Sequence, residues 1–357
     1  MKKTTSLSSF TSLLMQWNTL ENTRMMPWKE EKDPYKIWVS EIILQQTRVE
    51  QGRDYYLRFI KKFPGIKKLA LAREDEVFKM WEGLGYYSRC KNMIATARYV
   101  YAELNGKFPD SYSTILQLKG IGPYTAAAIA SFAFNLPYAV VDGNVSRVLA
   151  RYFTIYTPVD SNEGKKEFAL LSQKLLNKAE PAKYNQAIMD FGATVCKPKL
   201  PLCNQCLLRF SCKAFIKNSV EELPVKEKKM IKKNRWFYYV VLEKQGSVFI
   251  KKRNAKDIWQ NLYEFMLIEK TQKSTPENIL ESIEYIQLQI NNTASLSISS
   301  VYTQQLTHQT IHACFIHITV SENISVTGYE LIGKKQMNKL AFPKLLNVYL
   351  SDTGWYK

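Results

Sequence analysis

Four cysteines within seventeen residues constrain this chain more than any other feature: Cys196, Cys203, Cys206 and Cys212, separated by six, two and five residues. Soft thiolates at this density can wrap one metal centre. Structural zinc is usually held by two close pairs set further apart. The uneven spacing suits a cubane [4Fe–4S] cluster better, so one such cluster on a loop over residues 196–212 is expected. Lys197, Pro198, Lys199 and Pro201 mark the segment as exposed, which argues against four core cysteines. The remaining cysteines, Cys90 and Cys314, stand alone and read as ordinary residues.

Six cysteines in 357 residues do not make a secreted disulfide framework. No apolar run reaches the roughly 18 residues that a membrane-spanning helix needs, so no membrane partner is expected. The start has two lysines but no apolar signal core. Phe10, Leu13, Leu14 and Trp17 fall at helical spacing, so an ordinary first helix is predicted. The acid-poor, Ser/Thr-rich start leaves a transit peptide as the minor alternative. The expected location is cytoplasmic, or wherever the genome resides, and not secreted. A net charge of +18 and a pI near 9.4 point to a polyanionic partner, nucleic acid before membrane.

The length suits two domains. Up to about residue 216, apolar positions recur at three and four, as in IWVSEIILQQT and NMIATARYVYAEL, and Gly and Pro punctuate the ends. A charged, core-poor stretch at 222–235 reads as a basic linker. Strand-like runs follow on either side of Gln245-Gly246-Ser247, a hairpin signal. Then come a helical PENILESIEYIQLQI, an alternating VYTQQLTHQTIHACFIHITV and a closing helix at PKLLNVYL. The fold class is therefore multidomain: an all-α domain over 1–221, then an α+β domain over 236–357.

Two further patterns carry chemistry. In LKGIGPYTAAAIASFAF, Gly120 and Gly122 make a tight turn and Pro123 suits the first position of a helix. Amide hydrogens at that helix start can hold a phosphate without reading sequence, so the segment reads as a helix-hairpin-helix contact to a nucleic-acid backbone. The second pattern is a pair of carboxylates. Glu41 has Ile37, Trp38, Leu44 and Gln45 at three- and four-residue spacing, an apolar setting that raises a carboxyl pKa and makes a proton donor. Asp142 precedes GNVSRVLARYF, where helix-start hydrogens would keep it ionised. One protonated and one charged carboxyl divide the labour of glycosidic cleavage. By residue pattern alone, a boundary glutamate and a simple helix cap are the favoured readings of these two.

SEIILQQT, WEGLGYYSRCKNM, LKGIGPYTAAAIASF, VVDGNVSRVLARYF, NQAIMDFGATVC and the four-cysteine loop together resemble, in order, the MutY family of adenine DNA glycosylases. This family belongs to the helix-hairpin-helix superfamily that also contains endonuclease III. The likeness covers most of residues 20–215. It implies a DNA repair enzyme hydrolysing the N-glycosidic bond of adenine mispaired with 8-oxoguanine or guanine in double-stranded DNA, and acting as a monomer. On the matching positions, Glu41 is implied as the general acid and Asp142 as the charge that stabilises the sugar cation. Tyr124, Asn144, Arg24, Trp28 and Gln186 match the adenine pocket. Gln46, Thr47 and Tyr86 match residues that fill the stack beside the flipped base. The hairpin carbonyls are implied to hold a monovalent cation. Trp38, Trp81 and Tyr87 are read as core.

Bifunctional members of the superfamily carry a lysine where this chain has Tyr124, and without that amine no Schiff base forms. Residues 236–357 resemble the Nudix-like C-terminal domain of the same family, on IWQNLYEF and QQLTHQ. The glutamate-rich box that a Nudix hydrolase needs is missing, so no pyrophosphatase activity is expected. Leu306-Thr307-His308 stands where the family has Phe-Ser-His. Thr307 and His308 are thus implied to sense the base opposite adenine, with a leucine in place of the ring. His312 and His317 read as structural. The competing readings are an endonuclease III-like glycosylase/lyase on oxidised pyrimidines and a non-catalytic iron–sulfur DNA-binding protein.

Overall fold

The computed structural model describes residues 4–227, 232–282, 285, 293–320 and 325–355. By contact the chain divides into two compact units, Met1–Leu71 with Asn92–Lys229, and Ala72–Lys91 with Met230–Lys357.

The first unit is helical. Its elements are α1 (Thr4–Leu20), α2 (Pro34–Leu44), α3 (Val49–Lys62), α4 (Ile66–Ala70), most of α6 (Ser88–Glu103), α7 (Tyr112–Leu116), α8 (Pro123–Phe134), α9 (Gly143–Phe153), α10 (Asn162–Leu175), α11 (Pro181–Thr194) and α12 (Lys213–Ile216). Short polar side chains start several of them. Asp33 accepts from the Tyr35 amide before α2, and Ser161 from the Gly164 amide before α10. The spacing expected for α1 is borne out, with Phe10, Leu14 and Trp17 buried against Val148, Phe168 and Phe191 of one core. Trp17 meets Phe191 edge-on, ring centres 4.9 Å apart. The alanines of α8 are buried as well, which lets that helix pack closely.

The second unit holds a mixed sheet. β1 (Lys233–Lys244) runs parallel to β7 (Gln309–Val320) over most of its length. β2 (Ser247–Lys252) and β4 (Met266–Lys270) pair antiparallel with β1, while β5 (Thr293–Ile298) and β6 (Tyr302–Gln305) pair antiparallel with β7. β3 (Tyr263–Glu264) and β8 (Glu330–Gly333) pair with β2. Gln245 and Gly246, both at positive φ, form the expected hairpin turn. Helix α5 (Glu74–Trp81), α13 (Pro276–Leu280), α14 (Lys334–Met337) and the expected closing helix α15 (Lys344–Asp352) complete the unit. Tyr238, Val240, Ile316 and Ile318 line one core. Tyr239 and Phe315 point the other way, and Tyr349 stacks on Phe315 at 3.8 Å. Of the helical reading of 276–290, Pro276–Leu280 and Tyr285 are helical; 283–284 and 286–290 lie outside the described residues.

Two boundaries differ from those expected from sequence. Ala72–Lys91, read there as part of the helical domain, packs with the sheet. Lys79 Nζ donates to the Leu340 carbonyl, Lys252 Nζ meets Asp75 Oδ1 and the Phe342 amide donates to Glu82 Oε1, each at 2.8 Å. These partners are 177 to 261 residues apart, so no local pattern signals them. The linker read at 222–235 is also shorter. The Val225 carbonyl accepts from the Val159 amide, the Glu227 amide donates to Asp160, and Lys233 already belongs to β1. Residues 228–231 lie outside the described set.

Candidate active site

Helix α2 buries Ile37, Trp38 and Ile42, and the helical pitch carries Glu41 inward with them, leaving it 6% exposed. Burial pushes its carboxyl up to about 7; a hydrogen bond from the Tyr124 hydroxyl pulls down and the charge of Asp142 pushes up. Asp142 caps α9: Oδ1 accepts from the Val145 amide and Oδ2 from Asn144 Nδ2, both at 2.7 Å. These are the helix-start hydrogen bonds expected to favour its ionised form. Burial raises its pKa, and outweighs the bonds from Val145 and Asn144 that lower it. Arg147 holds Asn144 from behind, donating to Asn144 Oδ1 (2.8 Å), the Gly192 carbonyl (2.6 Å) and the Cys196 carbonyl (2.8 Å). Gly192 is required there, because a Cβ would lie 2.7 Å from Asn144 Cβ.

Glu41, Tyr124, Asp142 and Asn144 line a cavity of about 920 Å³. Of the residues singled out from sequence, Arg24, Trp28, Glu41, Gln46, Thr47, Tyr124, Asp142, Asn144 and Gln186 all line it. Gln46 adopts φ 56°, a left-handed conformation uncommon for a residue with a side chain. Trp28 meets Tyr56 edge-on at 5.4 Å. Sequence reasoning missed Asp190, which is fully buried and accepts from Arg24 Nη1 (2.9 Å), Gln186 Nε2 (3.0 Å) and Asn22 Nδ2 (3.0 Å). Its position four residues after Gln186 on α11 was the available signal, but an acid in a helix ordinarily reads as solvated. Arg147 was missed for the same reason.

Elsewhere in the helical unit, the hairpin takes the expected form. Gly120 sits at φ +80°, where a Cβ would strike Asn92, and Gly122 caps α8 with no side chain bonded to the amide hydrogens. The Leu118 and Lys119 carbonyls each accept one internal bond, from the Ile121 amide and Thr96 Oγ1, which leaves each a second lone pair. The four cysteines line one small apolar cavity with Val148, Leu202, Leu208 and Phe215. Arg151 places Nη1 3.5 Å from Cys196 Sγ. Burial, then the neighbouring thiols, push Cys206 up to about 12 against a backbone hydrogen bond that lowers it. Among the described residues no three His, Cys, Asp or Glu side chains focus on a point that would hold a single ion. Four thiols lining one cavity form a donor set whose chemistry suits a polynuclear cluster, each of whose corners takes one ligand. On the same loop, Arg209 donates to the Asn204 carbonyl and lies over the Phe210 ring.

Tyr86, Thr307 and His308 belong to the second unit. Leu306 and Gln309 bracket a two-residue turn between β6 and β7, with Thr307 and His308 at its tip. Tyr86, at φ 48°, hydrogen-bonds through its hydroxyl to that of Thr307. Structure thus joins two residues that the sequence places 221 apart. Trp38, Trp81 and Tyr87 are buried, as expected of core. His312 stacks on Trp236 and His317 pairs with Glu243, both within the sheet.

The HhH-GPD superfamily of base excision DNA repair proteins matches residues 39–178, and the NUDIX domain family matches residues 237–352. The chain is 35% identical over 320 residues to an adenine DNA glycosylase of Buchnera aphidicola subsp. Baizongia pistaciae, covering 88% of this chain and 87% of the relative. It is 40% identical over 226 residues to the adenine DNA glycosylase of Homo sapiens, covering 61% of this chain and 41% of that protein. Among solved structures, a thermostable thymine-DNA glycosylase superposes with a TM-score of 0.57 at 28% identity, over 61% of this chain and 100% of that one. A non-covalent endonuclease III–DNA complex superposes at 0.53 and 19% identity over 61% of this chain and 99% of that one, a likeness of fold.

Proposed function

The chain belongs to the adenine DNA glycosylases, and from that premise we propose that it excises adenine mispaired with 8-oxoguanine, and with guanine, from duplex DNA. The observation that carries this reading is Glu41: a buried carboxyl with a pKa of about 7, beside Asp142, on the wall of a cavity able to admit an extruded base. Glu41 protonates a ring nitrogen of the flipped adenine, which becomes a neutral leaving group. Tyr124 donates to Glu41 and fixes its orientation. Asn144, held by Arg147, keeps the Asp142 carboxylate facing the sugar as the glycosidic bond breaks and positive charge develops there. Glu41, now ionised, takes the proton from the water that completes hydrolysis. Arg24, Trp28 and Gln186 surround the base. Gln46 and Thr47 fill the space it leaves, and in the second unit Thr307 with His308 reads the opposite base.

Gly120, Gly122 and the amide hydrogens after them hold the DNA backbone, and a monovalent cation on the hairpin carbonyls would strengthen that grip. Cys196, Cys203, Cys206 and Cys212 would hold one [4Fe–4S] cluster, which supplies a fixed scaffold for Lys197 and Lys199. Replacing any one cysteine with serine should remove the brown absorbance of anaerobically purified protein and lower its soluble yield. Stoichiometric zinc without iron would overturn the cluster. The test of function is a panel of duplexes with single defined lesions, incubated with the protein and then treated with alkali. Breaks are expected at adenine opposite 8-oxoguanine and, more slowly, opposite guanine. Breaks at oxidised pyrimidines, or none, would overturn the reading.

A further inference from the structure

Asp190 is wholly buried in α11 and surrounded by donors. Its Oδ1 accepts from Arg24 Nη1 at 2.9 Å and Gln186 Nε2 at 3.0 Å. Its Oδ2 accepts from Asn22 Nδ2 at 3.0 Å and faces Lys29 Nζ at 3.4 Å. Burying an ion this deeply is costly unless close, well-oriented partners offset the lost hydration, as these do. An ionised carboxylate has acceptors only. The amide of Gln186 can therefore turn only its NH2 toward Asp190, and its carbonyl oxygen is left over. That oxygen has no partner among the described residues, and Gln186 lines the candidate active-site cavity.

We propose that Asp190 is a positioning residue that sets the hydrogen-bond polarity of the base pocket. By locking the Gln186 amide it presents an acceptor to the cavity, which suits the exocyclic amine of a 6-aminopurine and repels the carbonyl of a 6-oxopurine. This deepens the proposed function and rests on it. Discrimination against guanine and hypoxanthine then follows from a buried charge that touches no substrate. It acts through the orientation of an amide that could otherwise rotate by half a turn at little cost in shape.

The test uses the full-length, cluster-containing protein as wild type, Asp190→Asn, Gln186→Met and the double variant. Single-turnover excision is measured for adenine, unsubstituted purine and hypoxanthine opposite 8-oxoguanine, with melting temperatures alongside. Asp190→Asn should slow adenine about 5- to 10-fold more than purine, the scale of one hydrogen bond to the substrate, and should raise hypoxanthine relative to adenine. Gln186→Met should lower the adenine-to-purine ratio by the same factor, and the double variant should lower it no further. Equal slowing of adenine and purine by Asp190→Asn would show a merely structural role and overturn the proposal. So would losses that multiply in the double variant. If Asp190→Asn does not fold, Gln186→Met decides alone, and an unchanged ratio refutes the polarity argument. Wild-type protein that leaves adenine intact would instead overturn the glycosylase reading, and this inference with it.

Discussion

The two acids of the candidate site and the arginine-paired acids of the sheet unit sit under opposite conditions. In the helical unit, Glu41 is buried and Asp142 half-buried, and neither forms an ion pair among the described residues; both are raised above the ordinary range by loss of water. In the sheet unit, arginines pair with the buried Glu264 and with the exposed Asp257 and Glu269. Arg253 reaches Glu264 at 2.8 Å and Asp257 at 2.9 Å, while Arg235 reaches Asp257 and Glu269, both at 2.6 Å. Burial pushes Asp257 up, but hydrogen bonds from Arg235 and Arg253 overcome it and hold the carboxyl at about 2. An acid poised for proton transfer must lack the partner that would quiet it, whereas an acid that ties strands together needs that partner. The same residue type thus serves chemistry at Glu41 and architecture at Asp257.

Charge removal should therefore cost stability in the sheet unit and rate in the helical unit. Arg253→Met leaves Glu264 buried without its partner and should destabilise the sheet unit by about 3–5 kcal/mol, read from the urea unfolding midpoint of that transition. A loss under about 1 kcal/mol, the worth of an exposed pair, would break the comparison. Glu41→Gln should slow single-turnover excision by at least about 100-fold while DNA binding persists. The same variant should be no less stable than wild type. The folded carboxyl at about 7 binds its proton more tightly than the unfolded one at 4.5. Its contribution is thus fully present below 4.5 and lost as pH rises through 7. Removing the carboxyl should raise stability at pH 8 by no more than about 3 kcal/mol. A melting temperature that falls at pH 8 would contradict that account.

Smaller effects sharpen the contrast. Thr307→Ala with His308→Ala should leave slow excision opposite guanine intact and reduce the preference for 8-oxoguanine by about 1–3 kcal/mol, the scale of one or two base contacts. Full preference in paired assays would move lesion reading away from this turn. Least in size is the pH limb: with Glu41 as the acid, the excision rate should fall about tenfold for each pH unit above 7. A rate flat to pH 9 would mean that the proton comes from another group.

Local signals made much of this legible. The Gly120–Gly122 turn, the Asp142 cap and the apolar spacing of α1 need only neighbours in sequence, and each appears in place. Asp142 shows the limit: the cap was readable, but its raised pKa was not, because burial is contributed by elements far along the chain. Asp190 and Arg147 were passed over because a charged residue on a helix looks solvated until the helices packed over it are known. The assignment of Ala72–Lys91 to the sheet unit, and the Tyr86–Thr307 contact, join residues that no periodicity connects.

The order of residues alone thus determined which elements form, which residue types are available for acid, charge and thiolate chemistry, and where the composition shifts from helix to strand. These follow from dihedral preferences and hydrogen bonds that reach only a few residues. Tertiary structure alone decided which carboxylates are paired with arginine and which are not, and which way the Gln186 amide faces. Proton affinity and amide orientation depend on water exclusion and on partners brought together from distant positions, and neither exists until the chain has packed.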